Sequence, residues 1–388
     1  MVYDVIVCGG GVAGVAAAIA AARTSDKVLL VEREYSLGGL ATLGLICIYL
    51  PLCDGKGNKM SGGLAEELLK ISLKYGPGKI PDAWLNPNST KEERTYPNRY
   101  RVTYNPASFI IAMEEELLNK GVEILYGSHI SGVKVDDNNL KSIYIETKTG
   151  RQEIYGKTFI DATGDADICY YAGEETIDDN NNRKTGWYFS YDNKNLVLNK
   201  LSDPLYTDIP PGSRLYSGVD MKDITQNCID GREMILDDIL KKKKGNKDIY
   251  PLIIPSFHGL RMTRRLKSDY YFTKDDNGIF YEDSIGMIGN WHNKKDDFDS
   301  LPERYSLPVR IIETKTNNLY VAGRCVPADE EGQDLTRVIP SCVVTGEAAG
   351  TMASYQAIHG KKPEIKELQD ILKNNGALID SSLFNRIV

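Results

Sequence analysis

Residues 2–14 read Val2-Tyr3-Asp4-Val5-Ile6-Val7-Cys8-Gly9-Gly10-Gly11-Val12-Ala13-Gly14, and this stretch decides the fold. An apolar strand runs into three glycines and then into an alanine-rich segment ending at Arg23, a composition that favours helix. Lys27-Val28-Leu29-Leu30-Val31-Glu32 follows as a second apolar strand. Strand, glycine turn, helix and strand in this order predict a βαβ unit on a parallel sheet. The glycines divide the work: Gly9 permits the tight turn, Gly11 lets backbone approach a pyrophosphate, and Gly14 lets the helix lie close to the strand. The phosphate charge then meets the free N–H groups at the helix start. Glu32 ends the second strand, where its carboxylate can accept hydrogen bonds from a ribose diol. Together these residues predict a dinucleotide site.

Three features further along favour FAD over NAD. Gly38-Gly39 follow Glu32 at a short interval and allow a second backbone approach to the cofactor. Asp161-Ala162-Thr163-Gly164-Asp165 ends a strand with small residues where the chain must pass close to a ligand. The strand to Ala322-Gly323-Arg324 is followed by Arg337-Val338-Ile339-Pro340-Ser341, which opens the last long helix. A helix N-terminus there stabilises the negative charge of a reduced flavin. The residues expected to bind FAD are Gly9, Gly11, Val12, Ala13 and Gly14 in the first turn, with Glu32 and Arg33 after the second strand. Gly39, Leu40, Ala41 and Thr42 are expected beside them, with Ile130 and with Ala162, Thr163 and Gly164. Gly323, Arg324, Arg337, Val338 and Ser341 complete the set.

Beyond these motifs, Asn105-Pro106 is an N-cap followed by proline and predicts a helix to about Lys120. A strand is expected at 122–126, an antiparallel meander at 130–136, 140–147 and 151–156, and a parallel strand at 157–164. The stretch 176–305 is richer in Tyr, Asn, Asp and Pro and less periodic; regular patterning returns at 318–323 and about 340–359. The expected fold class is α/β. A Rossmann-like FAD-binding domain, parallel sheet plus antiparallel meander, covers 1–175 and 306–388, and a mixed α+β substrate domain is inserted at 176–305.

Composition narrows the function. The 388 residues are 41% hydrophobic and 26% charged with net charge −7, an ordinary globular balance whose acidity argues against nucleic-acid binding. The basic run Lys241–Lys244 reads as a solvated helix end. Seven widely spaced cysteines with no CxxC pair describe neither a disulfide framework nor a metal site. No apolar run of about 20 residues predicts a membrane span, and no basic leader predicts a signal peptide. A cytoplasmic protein acting on a small molecule is expected; the sequence leaves self-association open.

These stretches resemble the glutathione-reductase-like FAD-binding superfamily over nearly the whole chain, and within it the bacterial FAD-dependent oxidoreductase family. The resemblance is carried by Gly38-Gly39-Leu40-Ala41-Thr42-Leu43-Gly44-Leu45, by Arg261-Met262-Thr263-Arg264-Arg265-Leu266, and by Asp269-Tyr270-Tyr271-Phe272-Thr273-Lys274-Asp275-Asp276. It continues in Ala322-Gly323-Arg324-Cys325 and from Arg337 to Gly350. The family often carries a histidine where Asp329-Glu330-Glu331 stands here, and Asp-x-His where Asn290-Trp291-His292 stands. The resemblance implies non-covalent FAD.

Catalytic candidates come from the insertion and its return. His258 and His292 lie there, whereas His129 reads as structural and His359 as a C-terminal cap. Arg264 and Arg265, with Arg261, are expected to clamp a carboxylate or phosphate, or else to form structural ion pairs. Arg310 is a further candidate. Cys47 and Cys53 are six residues apart and no second GxGxxG appears, so they read as packing rather than a redox pair. The expected function is hydride transfer between flavin N5 and a small organic substrate, anionic if the arginines bind it, with the electron donor or acceptor open. The alternatives are a non-redox flavin enzyme, such as an isomerase or nucleotide-modifying enzyme, and a non-catalytic flavin-binding protein.

Overall fold

The structure, a computed structural model, describes residues 1–201, 212–290 and 302–388. It opens with β1 (Val2–Cys8), α1 (Val12–Ala21) and β2 (Val28–Val31), the βαβ unit that the sequence predicts. β3 (Ile48–Tyr49) is separated from its partner β4 (Val102–Thr103) by α2 (Leu64–Leu73) and α3 (Asp82–Leu85). α4 (Pro106–Asn119) starts where Asn105 accepts the Ser108 N–H at 2.9 Å. Then come β5 (Glu123–Leu125), β6 (His129–Asp136), β7 (Asn139–Thr147), β8 (Gly150–Asp161), α5 (Asp167–Ala172) and β9 (Thr176–Ile177). The middle of the chain holds β10 (Tyr188–Tyr191), β11 (Leu196–Asn199), α6 (Met221–Lys243), β12 (Tyr250–Ile253), β13 (Arg265–Leu266), β14 (Ile279–Phe280) and β15 (Ser284–Gly289). β16 (Arg304–Pro308), β17 (Leu319–Val321), α7 (Glu330–Thr336), α8 (Ile339–His359), α9 (Ile365–Asn374) and β18 (Arg386–Ile387) close it.

The main sheet runs β5-β2-β1-β8-β7-β6, and β17 also pairs with β8. β8 is its pivot. One edge lies parallel to β1 from Tyr155 to Asp161; the other pairs antiparallel with β7 and then parallel with β17 at Phe159–Asp161. The expected break between 151–156 and 157–164 is therefore absent, and a single strand joins meander to parallel core. Gly156 does not turn the chain but makes room, since a Cβ there would stand 2.8 Å from Ile6 Cδ1.

Within the middle of the chain, β11-β10-β12 form a separate three-stranded sheet, with a small core of Tyr188, Ile235 and Ile239 against α6. Lys241, Lys242 and Lys243 occupy the last turn of α6, where positive charge suits the helix dipole. β15 and β16 instead contribute Ile285, Ile288 and Tyr305 to the main core.

Every residue of α1 is buried, and its small side chains bring α8 unusually close. A Cβ on Gly346 would stand 2.3 Å from the Ala13 carbonyl oxygen, and one on Gly350 2.2 Å from that of Ala17. Gly346→Ala must therefore push backbone apart, and overpacking of this kind costs about 1–3 kcal/mol. A lower Tm is expected in thermal denaturation; an unchanged Tm would show that α8 can slide without cost.

Candidate active site

A cavity of about 570 Å³ lies over the C-terminal ends of the parallel strands. Gly9 and Gly11 reach it from the end of β1, Glu32 and Arg33 from β2, Ala162 to Gly164 from β8, and Ala322 to Arg324 from β17. This is where an open α/β sheet binds its ligand. Gly9 holds φ +104°, and a Cβ there would also meet the Ala162 carbonyl oxygen at 2.5 Å, so both conformation and space call for glycine. Two helix starts converge on the space. Gly11 caps α1 and Val338 caps α8; neither offers a side-chain hydrogen bond, and neither first turn carries an acid. Their first N–H groups remain for a ligand, one set suited to a pyrophosphate and the other to an anionic ring. These residues fit FAD.

Glu32 is buried, and its carboxylate braces the turn. Oε2 accepts the Gly10 N–H at 2.6 Å and Oε1 the Glu34 N–H at 2.8 Å. Burial raises its pKa, while the two N–H bonds pull it down. Each oxygen keeps a lone pair, so ribose hydroxyls can be accepted as well. Across the cavity, Asp161 Oδ1 accepts the Thr163 hydroxyl at 2.7 Å, and Cys325 Sγ accepts the Gly164 N–H at 3.2 Å. Asp167 borders the cavity beside Arg264, at 2.6 Å. Burial, then the Asp165 and Asp161 charges, push its pKa up to about 6.

Of the residues expected to bind FAD, Gly9, Gly11, Val12, Ala13, Glu32 and Arg33 line the cavity. So do Gly39, Leu40, Ala41, Ile130, Ala162, Thr163, Gly164, Gly323, Arg324, Arg337 and Val338. Three do not line it. Gly14 lies beneath, where its missing Cβ would stand 1.8 Å from the Gly9 carbonyl oxygen. The Thr42 hydroxyl is spent on the Leu37 carbonyl at 2.5 Å, and that of Ser341 on the Leu335 carbonyl at 2.7 Å.

The catalytic candidates do not gather at the cavity. Arg264 donates to the Asp165 carbonyl and pairs with Asp167, its guanidinium over the Tyr170 ring at 4.2 Å. Arg265 is buried, pairing with Asp179 at 2.7 Å and donating to the Ala328 carbonyl. Arg310 pairs with Asp283 at 2.7 Å and lies over the rings of Tyr270 and Tyr281. His258 bonds Asn227, and burial, with Arg232 and Arg261 nearby, pushes its pKa down to about 4. None of these four lines the cavity; His292 lies outside the described residues. Arg261 does line it, its guanidinium 5.2 Å from the Trp187 ring centroid. Asp329, in the acidic stretch where the family often has a histidine, caps α7 by accepting the Gly332 N–H at 2.6 Å.

The sequence reading missed Arg99, Arg101, Lys200, Trp187 and Phe257, which all line the cavity, as does His129. Arg99 and Arg101 stand just before β4 and Lys200 just after β11. No motif marks them, and only the fold brings them together.

The FAD dependent oxidoreductase family model matches residues 4–186 and 174–372, and the chain belongs to that family. The protein is a redox flavoenzyme with FAD as its cofactor. No curated protein matches the chain. Among solved structures, the chain is similar to CabE, an aromatic hydroxylase from angucycline biosynthesis. Identity is 12%, with 96% of this chain and 65% of that chain covered, at a TM-score of 0.46. For p-nitrophenol 4-monooxygenase PnpA from Pseudomonas putida DLL-E4 the values are 11%, 96%, 84% and 0.48. For L-proline dehydrogenase from P. horikoshii they are 11%, 96%, 98% and 0.40. The chain spans 65% of the length of CabE, and likeness at this level says nothing of substrate.

Two outcomes follow from this geometry. Glu32→Ala should weaken FAD retention by on the order of 1–3 kcal/mol, measured by flavin fluorescence quenching on apoprotein. An unchanged affinity would place the ribose elsewhere. Asp167 holds its proton to about pH 6, above an unfolded aspartate at ~3.9. Between these values the folded chain binds the extra proton, so this contribution favours folding in acid and is lost as pH rises through 6. Asp167→Asn, which does not titrate, should gain Tm relative to wild type between about pH 4 and about pH 7. An equal Tm difference at both would show that Arg264 keeps Asp167 ionised.

Proposed function

We propose that the protein transfers a hydride between a small organic substrate and N5 of bound FAD, which supplies the two-electron chemistry. The observation that carries this reading is the convergence of two uncapped helix starts, those of α1 and α8, on one cavity. Gly11, Val12 and Ala13 hold the pyrophosphate, Glu32 the ribose, and Gly39 to Ala41 with Arg337 and Val338 the flavin end. Residues 1–175 and 306–388 form the FAD domain and 176–305 the substrate domain, which sends Trp187, Lys200, Phe257 and Arg261 to the cavity wall.

Electrons do not pass through a cysteine pair in this proposal. Burial pushes the Cys47 thiol up to about 12, and Cys53 is fully buried. With its thiol held there, Cys47 supplies no thiolate at neutral pH. Among the described residues no helix is long and apolar enough to cross a membrane. A cytoplasmic setting belongs to the same proposal and rests on the odd count and spacing of the cysteines.

Purified protein should be yellow and release one FAD per chain on acid treatment. Under anaerobic conditions a panel of small organic metabolites, offered one by one, should contain a member that bleaches the visible flavin absorption. If no member does, and none reoxidises chemically reduced protein, the hydride reading is wrong.

A further inference from the structure

The cavity is not evenly charged. Near its dinucleotide turn the cations are answered: Arg33 stands 3.8 Å and Arg324 3.2 Å from Asp165. For two other cations of the lining the balance differs. Arg101, at the start of the β3–β4 ribbon, and Lys200, at the end of β11, both line the cavity and repel one another. Among the described residues no carboxylate pairs with either. The Lys200 ammonium lies over the Trp187 ring, 5.3 Å from its centroid, and Arg261 shares that ring. Burial, and then Arg101, hold the Lys200 pKa below its ordinary value. Two like charges with no carboxylate partner among the described residues cost free energy that an anion recovers.

The wall nearby restricts the anion. Ile46, Ile48, Leu50 and Pro51 line the cavity next to the ribbon that carries Arg101. An inorganic anion would leave that apolar surface in water, whereas an organic acid covers it. The guanidinium fork also matches a carboxylate in two parallel hydrogen bonds.

We infer that Arg101 and Lys200 take the carboxylate of an organic acid whose apolar body lies against Ile46, Ile48 and Leu50. This rests on the proposed redox reading of the cavity and names the substrate class for it. The charge expected of Arg264 and Arg265 is thus relocated to residues from two separate parts of the chain, one on the main body and one on the small sheet. Remote binding energy at the carboxylate would then orient the rest of the acid.

The holoprotein is titrated with benzoate, with benzyl alcohol as the neutral counterpart, and with inorganic phosphate, reading the visible flavin spectrum and the heat of binding. Benzoate should bind more tightly than the other two and weaken as salt rises. Its affinity should fall about tenfold or more in Arg101→Gln and in Lys200→Gln. Lys200→Arg should retain it. Benzyl alcohol should respond equally in all variants. Each variant is checked for FAD content and Tm; neither residue belongs to the buried core, so neither substitution opens it. The inference is overturned if benzoate fails to bind, binds both Gln variants as it binds wild type, or binds no better than phosphate. Loss of FAD from the variants would assign the pair to the cofactor's phosphates and overturn it too. Should benzoate bind as described while no metabolite reduces the flavin and none reoxidises chemically reduced protein, the hydride reading falls and the carboxylate site stands.

Discussion

The whole arrangement depends on how closely backbone can approach backbone around the first turns of α1. On one side Gly9 and Gly14 let the helix press on the strand it follows; on the other Gly346 and Gly350 let α8 lie on the carbonyls of Ala13 and Ala17. A side chain at any of these positions would meet main-chain atoms, which cannot rotate away. α1 is thereby fixed in depth and direction, and its free N–H groups are fixed with it. The same contact sets where α8 begins. Two helix starts thus face one space because Gly346 and Gly350 allow the helices to touch while Gly9 and Gly14 keep the turn before α1 tight.

Electrostatics then divides that space along its length. The loop after β8 is rich in acid, with Asp161, Asp165 and Asp167, and it is matched by Arg33, Arg264 and Arg324. Hydrogen bonds from Thr163 and to the Cys325 sulfur hold this loop in place. The charges there answer one another and shape the floor. Arg101 and Lys200, also in the lining, have no such reply from a carboxylate among the described residues.

What could be read in advance follows the range of each interaction. The βαβ unit, the meander, the Asn105 cap and the small-residue helix at the end are local patterns, and all appear in the structure. β8 defeated the reading because Gly156 looks like punctuation until Ile6 is seen packed over it. Thr42 and Ser341 sit in the right motifs, yet short hydroxyl side chains are easily claimed by carbonyls a few residues back. The arginine stretch left two readings open, and the structure shows the ion pairs: Asp167 and Asp179, which pair with Arg264 and Arg265, are far away in sequence. Arg101 and Lys200 carry no local signature at all. Their proximity is a product of tertiary folding, so no spacing rule finds them.

The three-stranded sheet β11-β10-β12 keeps its own small core under α6, apart from the main one. It sits between an early and a late portion of the nucleotide-binding framework and takes no part in that framework's strand register. Such a lobe can accumulate change without disturbing the glycine contacts on which the cofactor depends. Trp187 and Lys200 border it, while Arg101 stands just before β4. A substitution in this small core therefore leaves the close contacts around α1 untouched.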